Sequence, residues 1–276
     1  MQAFFMSKYF KIDIKEISDE EQNILIALLS DFGFYAFEQD ENCLSAYIKE
    51  QDFDPENLTG ILSGEKHFNK TVIEDENWNR QWESGFQPVL VDDFALIRAA
   101  FHEPVDNVKH DLIITPKMSF GTGHHATTFL MIQQSQNIDF YNKSVLDFGT
   151  GTGVLAILAE KSGASKVVAI DYDELGIHHA LENIGANNCI NVSVEKRSDL
   201  TGMAPVDLVL ANINLNVLTE AAESISTLLK TGGLLLTSGF LVKDEKAMES
   251  LFMGKQFVKK CVLNKDGWLS ILFQKL

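Results

Sequence analysis

The chain has 276 residues, ordinary hydrophobic and charged fractions of 45% and 22%, and a formal charge of −16, which suits one large domain or a medium one with a smaller partner. Without a Lys/Arg block to offset it, such acidity disfavours a phosphate backbone as ligand and suits a small molecule or a basic protein. Cys43, Cys189 and Cys261 are odd in number and have no CxxC spacing, which excludes a disulfide framework and a cysteine zinc site and points to a reducing compartment. No secretory signal or membrane-spanning apolar run is evident, so the expected location is the cytoplasm, with no membrane partner.

In chain order, YFKIDIKEI (9–17) alternates as a half-buried strand does. SDEEQNILIALLSDFG (18–33) opens with Ser18 and Glu21 at capping-box spacing and closes on Gly33, as a helix does. FYAFEQ and CLSAYIKE, joined by DEN, read as a hairpin. DPENLTGILSG carries Pro55 near a first helical turn, and FNKTVIED reads as a strand. The order βαββαβ predicts a ferredoxin-like α+β domain over residues 1–75. ENWNRQWESGFQPVLV (76–91) changes character: Trp78 and Trp82 share a helix face, and the stretch reads as a connector.

Residues 92–276 form the predicted second domain. From about residue 143, strands (KSVLDF, KVVAIDYD, VDLVLANI, LLLTSGF) alternate with helices (VLAILAEKSG, ELGIHHALENIGANN, LTEAAESISTLLKTGG). That alternation predicts a parallel sheet covered on both faces. QFVKKCVL and WLSILFQKL flank NKDG, an antiparallel hairpin signal. An α/β, Rossmann-like, mostly parallel sheet ending in an antiparallel hairpin is the arrangement of class I methyltransferases.

In VLDFGTGTGVLAILAE an apolar strand runs into Gly149, Gly151 and Gly153 and then a helix, so a ligand can approach the backbone closely. Val154 stands after the third glycine, which breaks the dinucleotide fingerprint, and no Walker lysine is present. Asp147, before the glycines, would repel a pyrophosphate but suits a ligand with an ammonium and a sulfonium, as S-adenosylmethionine has. Asp171, closing the next strand, is placed to accept from ribose hydroxyls, whereas Asp173 suits a helix cap. Asn212 lies where VDLVLAN runs out. It is a candidate to orient a nitrogen nucleophile, or alternatively to form an Asx turn or cap for the next helix.

SFGTGHHATTF (119–129) holds a second glycine run and the pair His124 and His125. Adjacent histidines diverge on an extended chain and no third ligand is near, so no metal is expected. His178 and His179 read as a surface or packing pair.

FGTGHHATT, together with LDFGTGTGVLAILAEKSGASKVVAIDYD, DLVLANI and NWNRQWESGFQPV, resembles the ribosomal protein methyltransferase family known as PrmA. The resemblance implies an S-adenosylmethionine-dependent N-methyltransferase acting on amino groups of the large-subunit ribosomal protein L11, and it fits residues 1–75 to substrate recognition. It implies that the first glycine run folds over the cofactor, with Thr128 among the binding residues and Thr127 beside it, and likewise Gly149, Asp171 and Asn212. The two glycine runs would then build one pocket. The family loop is close to N-I-L-A-N-P-L, whereas this chain reads NINLNVL and lacks the proline. Two rivals remain open: an enzyme acting on glutamine or nucleic acid, and a non-catalytic cofactor-binding assembly factor. Enzymes of the first kind usually carry an N-P-P-Y loop at the position of Asn212, and its absence here, with the acidic charge, weighs against them.

Overall fold

The computed structural model describes residues 9–62, 68–73, 86–115 and 123–276, which fall into two compact units. The predicted Trp78/Trp82 connector face and Phe120–Thr122 of the first glycine run lie outside the described residues.

The first unit runs β1 (Tyr9–Lys15), α1 (Asp19–Ser30), β2 (Ala36–Asp40), β3 (Cys43–Lys49), α2 (Pro55–Ile61) and β4 (Phe68–Ile73). Its strands pair antiparallel in the order β2-β3-β1-β4, the ferredoxin-like arrangement. Because side chains alternate across a sheet, Phe10, Ile12 and Ile14 share one face. They pair with Ile48, Ala46 and Leu44, and all six are buried. Leu25, Ile26 and Leu29 are the buried apolar side of α1. The expected capping box forms: the Ser18 N–H donates to Glu21 Oε2 at 2.9 Å and the Glu21 N–H to Ser18 Oγ at 3.4 Å. Asp54 caps α2 with Pro55 in its first turn.

The second unit begins at Gln87, because β5 (Val89–Val91), inside the stretch read as connector, pairs with β6 (Ala95–Arg98). Together with β7 (His110–Ile113) these form a three-stranded sheet absent from the sequence reading. Arg98 closes it, donating to both Asp111 carboxylate oxygens at 2.8 and 2.7 Å and to the His102 carbonyl at 2.7 Å.

The main sheet comprises β8 (Ser144–Phe148), β9 (Lys166–Asp171), β10 (Val192–Lys196), β11 (Val206–Asn212), β12 (Leu229–Leu241), β13 (Phe257–Lys265) and β14 (Trp268–Lys275). Its order is β10-β9-β8-β11-β12-β14-β13, parallel except for β14 against its two neighbours. The helices are α3 (Ala126–Ser135), α4 (Val154–Lys161), α5 (Glu174–Ala186), α6 (Leu215–Leu228) and α7 (Glu245–Met253). Alternation along the central strands feeds two cores. Val145, Leu208 and Leu210 join one with Met131, Leu155 and Ala180, while Leu146, Val209 and Ala211 join the other with Leu218, Ile225, Met248 and Phe252. Burial on both faces is why β8 and β11 read as continuous apolar runs.

β10 was not anticipated: as an edge strand it carries Ser193, Glu195 and Lys196 and buries no residue fully, so its apolar signal is weak. The helix expected through Gly233 ends at Leu228, and β12 begins at Leu229. α3 and α7 also went unread.

Candidate active site

The sheet order reverses between β8 and β11, because β8 continues to β9 on one side while β11 continues to β12 on the other. Ligands of open α/β sheets bind outside the carboxyl ends of strands at such a switch point. Asp147 is the penultimate residue of β8 and Asn212 closes β11, so the topology brings both to that edge.

The glycine turn is held from below and from the side. The N–H groups of Gly149 and Thr150 both donate to the Ile170 carbonyl at 2.9 Å. Gly149 adopts φ +75°, and a Cβ there would lie 2.3 Å from Ile213 Cγ2, so both conformation and space require glycine. The Gly151 N–H donates to Asp171 Oδ2 at 2.9 Å and the Asp173 N–H to Asp171 Oδ1 at 3.0 Å. Asp171 thus braces the turn as well as lining the edge. Burial raises its pKa against those hydrogen bonds. Asp173 sits at the N-cap of α5 but its side chain makes no capping bond.

Asp147 is 1% exposed. Its Oδ2 accepts from Thr150 Oγ1 at 2.6 Å and the Ala156 N–H at 3.2 Å, while its buried Oδ1 accepts no hydrogen bond among the described residues. Burial pushes its pKa up to about 7, outweighing the two donors, and the Asp171 charge adds to the rise. A half-satisfied buried carboxylate costs stability in the free protein unless a donor reaches it. Asn212 repeats the pattern: its Nδ2 donates to Thr128 Oγ1 at 3.2 Å, and its buried Oδ1 accepts nothing among the described residues. Asp147 Oδ1 therefore suits an ammonium donor such as that of S-adenosylmethionine, and Asn212 Oδ1 suits an N–H donor beside it.

The alternative role for Asn212, capping the next helix, is filled by its neighbour. Asn214 is the N-cap of α6 and accepts from the Val217 N–H at 2.9 Å. Val217 stands where the family loop has its proline, which has no N–H to donate. The departure from that loop therefore exchanges a proline for a capping pair. Ile213 fills the space between, against Gly149 and Gly239, where a Cβ would lie 2.2 Å from the Ile213 carbonyl oxygen.

Thr127 and Thr128 are fully buried but differ in partner, since consecutive helical residues diverge by about 100°. Thr128 meets Asn212, whereas Thr127 is engaged by His125. The Thr127 N–H donates to His125 Nδ1 at 3.3 Å, with Thr127 Oγ1 2.8 Å from the same nitrogen. His125 is the N-cap of α3 and its ring packs edge-on against Trp268, centroids 4.7 Å apart. Burial lowers its pKa to about 4, so the ring is a neutral cap. Among the described residues no three His, Cys, Asp or Glu side chains lie close enough to hold a metal ion. His179 is buried and His178 exposed, both on α5.

Two contributors were not foreseen. Thr150 had a local signal, three residues after Asp147 in the glycine run. Asn183 had none. Its Nδ2 donates to the Thr152 carbonyl at 2.8 Å and its Oδ1 accepts from the Thr115 N–H at 2.8 Å. This buried amide ties the glycine turn to the chain leaving β7.

The strand order and the acid-flanked glycine turn at its switch point define a class I, S-adenosylmethionine-dependent methyltransferase. A crystal structure of ribosomal protein L11 methylase from Lactobacillus delbrueckii subsp. bulgaricus shares the fold, at a TM-score of 0.64 and 24% identity over 69% of this chain and 100% of that one. The profile of the family described as ribosomal protein L11 methyltransferase (PrmA) matches residues 7–276. A Bacteroides fragilis protein of that name is 35% identical over 279 residues, spanning 96% of this chain and 99% of the relative. A Porphyromonas gingivalis protein of the same name is 40% identical over 231 residues, 80% of each chain. The chain belongs to the ribosomal protein L11 methyltransferase (PrmA) family.

Proposed function

We propose that this protein transfers methyl groups from S-adenosylmethionine to amino groups of ribosomal protein L11, lysine side chains or the N-terminal α-amine, in the cytoplasm. The observation that carries the reading is the pair of buried, half-satisfied acceptors, Asp147 Oδ1 and Asn212 Oδ1, at the carboxyl edges of β8 and β11. Family membership and the names of the relatives supply the substrate.

In this reading Gly149 and Gly151 let the ligand approach the turn backbone, and Asp147 receives its ammonium. Asp171 accepts from the ribose hydroxyls, and Thr127 and Thr128 flank the methionyl end. S-adenosylmethionine, when bound, supplies a methyl group already activated by a positive sulfonium. The remaining work falls to the chain. A lysine of pKa about 10.4 is neutral in roughly one molecule per thousand near pH 7.4, a cost of about 4 kcal/mol, and a terminal amine of pKa about 7.7–8.0 costs far less. A water-poor edge lowers that cost by disfavouring the ammonium. Asn212 Oδ1 accepts an N–H of the neutral amine and aims its lone pair, while the bond from Nδ2 to Thr128 fixes which end of the amide faces the amine. Positioning, rather than proton transfer, is the protein's main contribution. Residues 1–75 act as the substrate-recognition domain.

The direct test is labelled-methyl transfer to purified L11, followed by intact-mass analysis of the product. Incorporation into amino groups of L11 supports the reading. Incorporation only into RNA or glutamine, or none, rejects it.

A further inference from the structure

α6 and α7 enclose a groove of about 660 Å³, lined by Leu215, Thr219 and Glu220 of the first and Ala247, Ser250 and Leu251 of the second. Leu215 and Thr219 are four residues apart and Ala247, Ser250 and Leu251 are three and four apart, so each set shares a helix face. The faces turned to the sheet are different ones, with Leu218, Ala222 and Ile225 on α6 and Met248 and Phe252 on α7.

The groove begins at the reaction edge. Leu215 is the first residue of α6, three residues beyond Asn212, and α7 follows the carboxyl end of β12, at the same edge. From there it runs away along α6. Glu220 lies five residues beyond Leu215, about 7.5 Å further along the axis.

Charge selects the occupant. The acids around the groove are already paired: Glu223 with Lys255, and Glu245 and Glu249 with Lys259. Glu220 is exposed and lines the groove, and it has no ion-pair partner among the described residues. Its surroundings belong to a chain of net charge −16, whose field favours a cationic partner. The apolar flanks, Leu215 and Leu251, suit the aliphatic stem of such a side chain.

We propose that this groove receives the segment of the protein substrate flanking the target amine, with a cationic side chain paired to Glu220. An extended chain advances about 3.3 Å per residue, so the roughly 7.5 Å between Leu215 and Glu220 corresponds to about two residues of substrate. The proposal rests on the reading of the protein as an L11 amine methyltransferase, and adds a sequence preference around the methylated position.

The test uses the full chain, purified L11 and labelled S-adenosylmethionine, with steady-state kinetics in L11 and calorimetry with S-adenosylhomocysteine. Glu220→Lys converts an exposed attraction into a repulsion and should raise KM for L11 about three- to tenfold, in keeping with the modest strength of exposed ion pairs. Ala247→Trp fills the groove and should raise it at least about tenfold. Both variants should retain wild-type affinity for S-adenosylhomocysteine, since neither residue lies on the glycine turn. An unchanged KM in either variant, with wild type methylating L11, overturns the groove and leaves the parent reading standing. No transfer to L11 by wild type removes both.

Discussion

Asn212 Nδ2 donates to Thr128 Oγ1 at 3.2 Å across 84 residues of sequence. This bond joins the helix that follows the first glycine run to the end of β11. It also fixes the orientation of the Asn212 amide, because the nitrogen is committed to Thr128 and the oxygen is the atom left without a partner among the described residues. Thr128→Val should therefore act through Asn212 as well as on the cofactor. It leaves a buried donor unpaired at a cost of about 1–3 kcal/mol, and kcat should fall at least about fivefold. Asn212→Ala should reduce kcat further. In a double-mutant cycle on kcat the two should couple by about 1 kcal/mol or more, and strictly additive effects would show that Thr128 does not orient Asn212.

Asp147 makes the free protein pay for its site. Its folded pKa, about 7, lies above the ordinary carboxylate value. The native state therefore binds the extra proton between roughly pH 4 and 7, and stability falls as pH rises through that window. Asp147→Asn should raise the Tm of the ligand-free protein at pH 8, by at most about 4 kcal/mol in stability, and the gain should shrink as pH falls toward 4. If Asp147 receives the ammonium as proposed, wild-type affinity for S-adenosylhomocysteine should weaken by up to about tenfold per pH unit below 7, because that contact needs the ionised carboxylate. A pH-independent Kd between 5.5 and 8 would remove Asp147 from the ammonium site.

The glycine turn is shaped by side chains from two other elements, Asp171 on β9 and Asn183 on α5. Asp171→Ala should weaken S-adenosylhomocysteine binding at least about tenfold. Asn183→Leu releases the Thr152 carbonyl and the Thr115 N–H together, and should raise KM for S-adenosylmethionine several-fold while the protein stays folded. A lower Tm with unchanged KM in that variant would reduce Asn183 to a packing residue.

His125 is a neutral helix cap here. Its folded pKa of about 4 lies below the ordinary histidine value, so the unfolded chain binds more protons between about pH 4 and 6.5 and this contribution to stability is lost as pH falls through that range. His125→Ala should cost at least about 1 kcal/mol from the lost cap alone, whereas His125→Asn should retain most of it. Urea midpoints at pH 7 measure both. Chelators should leave wild-type methyl transfer unchanged. Stoichiometric zinc, with activity lost in chelator and restored by metal, would instead return the histidines to a metal site.

Much of this was legible in the sequence because its causes are local. The capping box at Ser18 and Glu21, the glycine turn after KSVLDF and the hairpin around NKDG each depend on neighbours within a few residues. Strand period and turn chemistry carried the βαββαβ and α/β readings for the same reason. β10 escaped because an edge strand buries too little to show a pattern, and β5 to β7 because their short strands lie among irregular segments.

The site divides along the same line. Asp147, Gly149 and Asp171 stand at positions that strand ends and glycine conformation identify on their own, so the sequence alone determined where a ligand edge would form. Which threonine meets the end of β11, and which asparagine caps α6, was decided only by the tertiary structure. Thr127 and Thr128 are neighbours in a helix, as Asn212 and Asn214 are near-neighbours in a loop, and composition treats each pair alike. What separates them is the partner met across the fold: His125 for one threonine and Asn212, 84 residues away, for the other. Asn183 carries no local mark at all, because its two hydrogen bonds end on backbone groups 31 and 68 residues distant. Contacts of that length exist only once helix and sheet have packed.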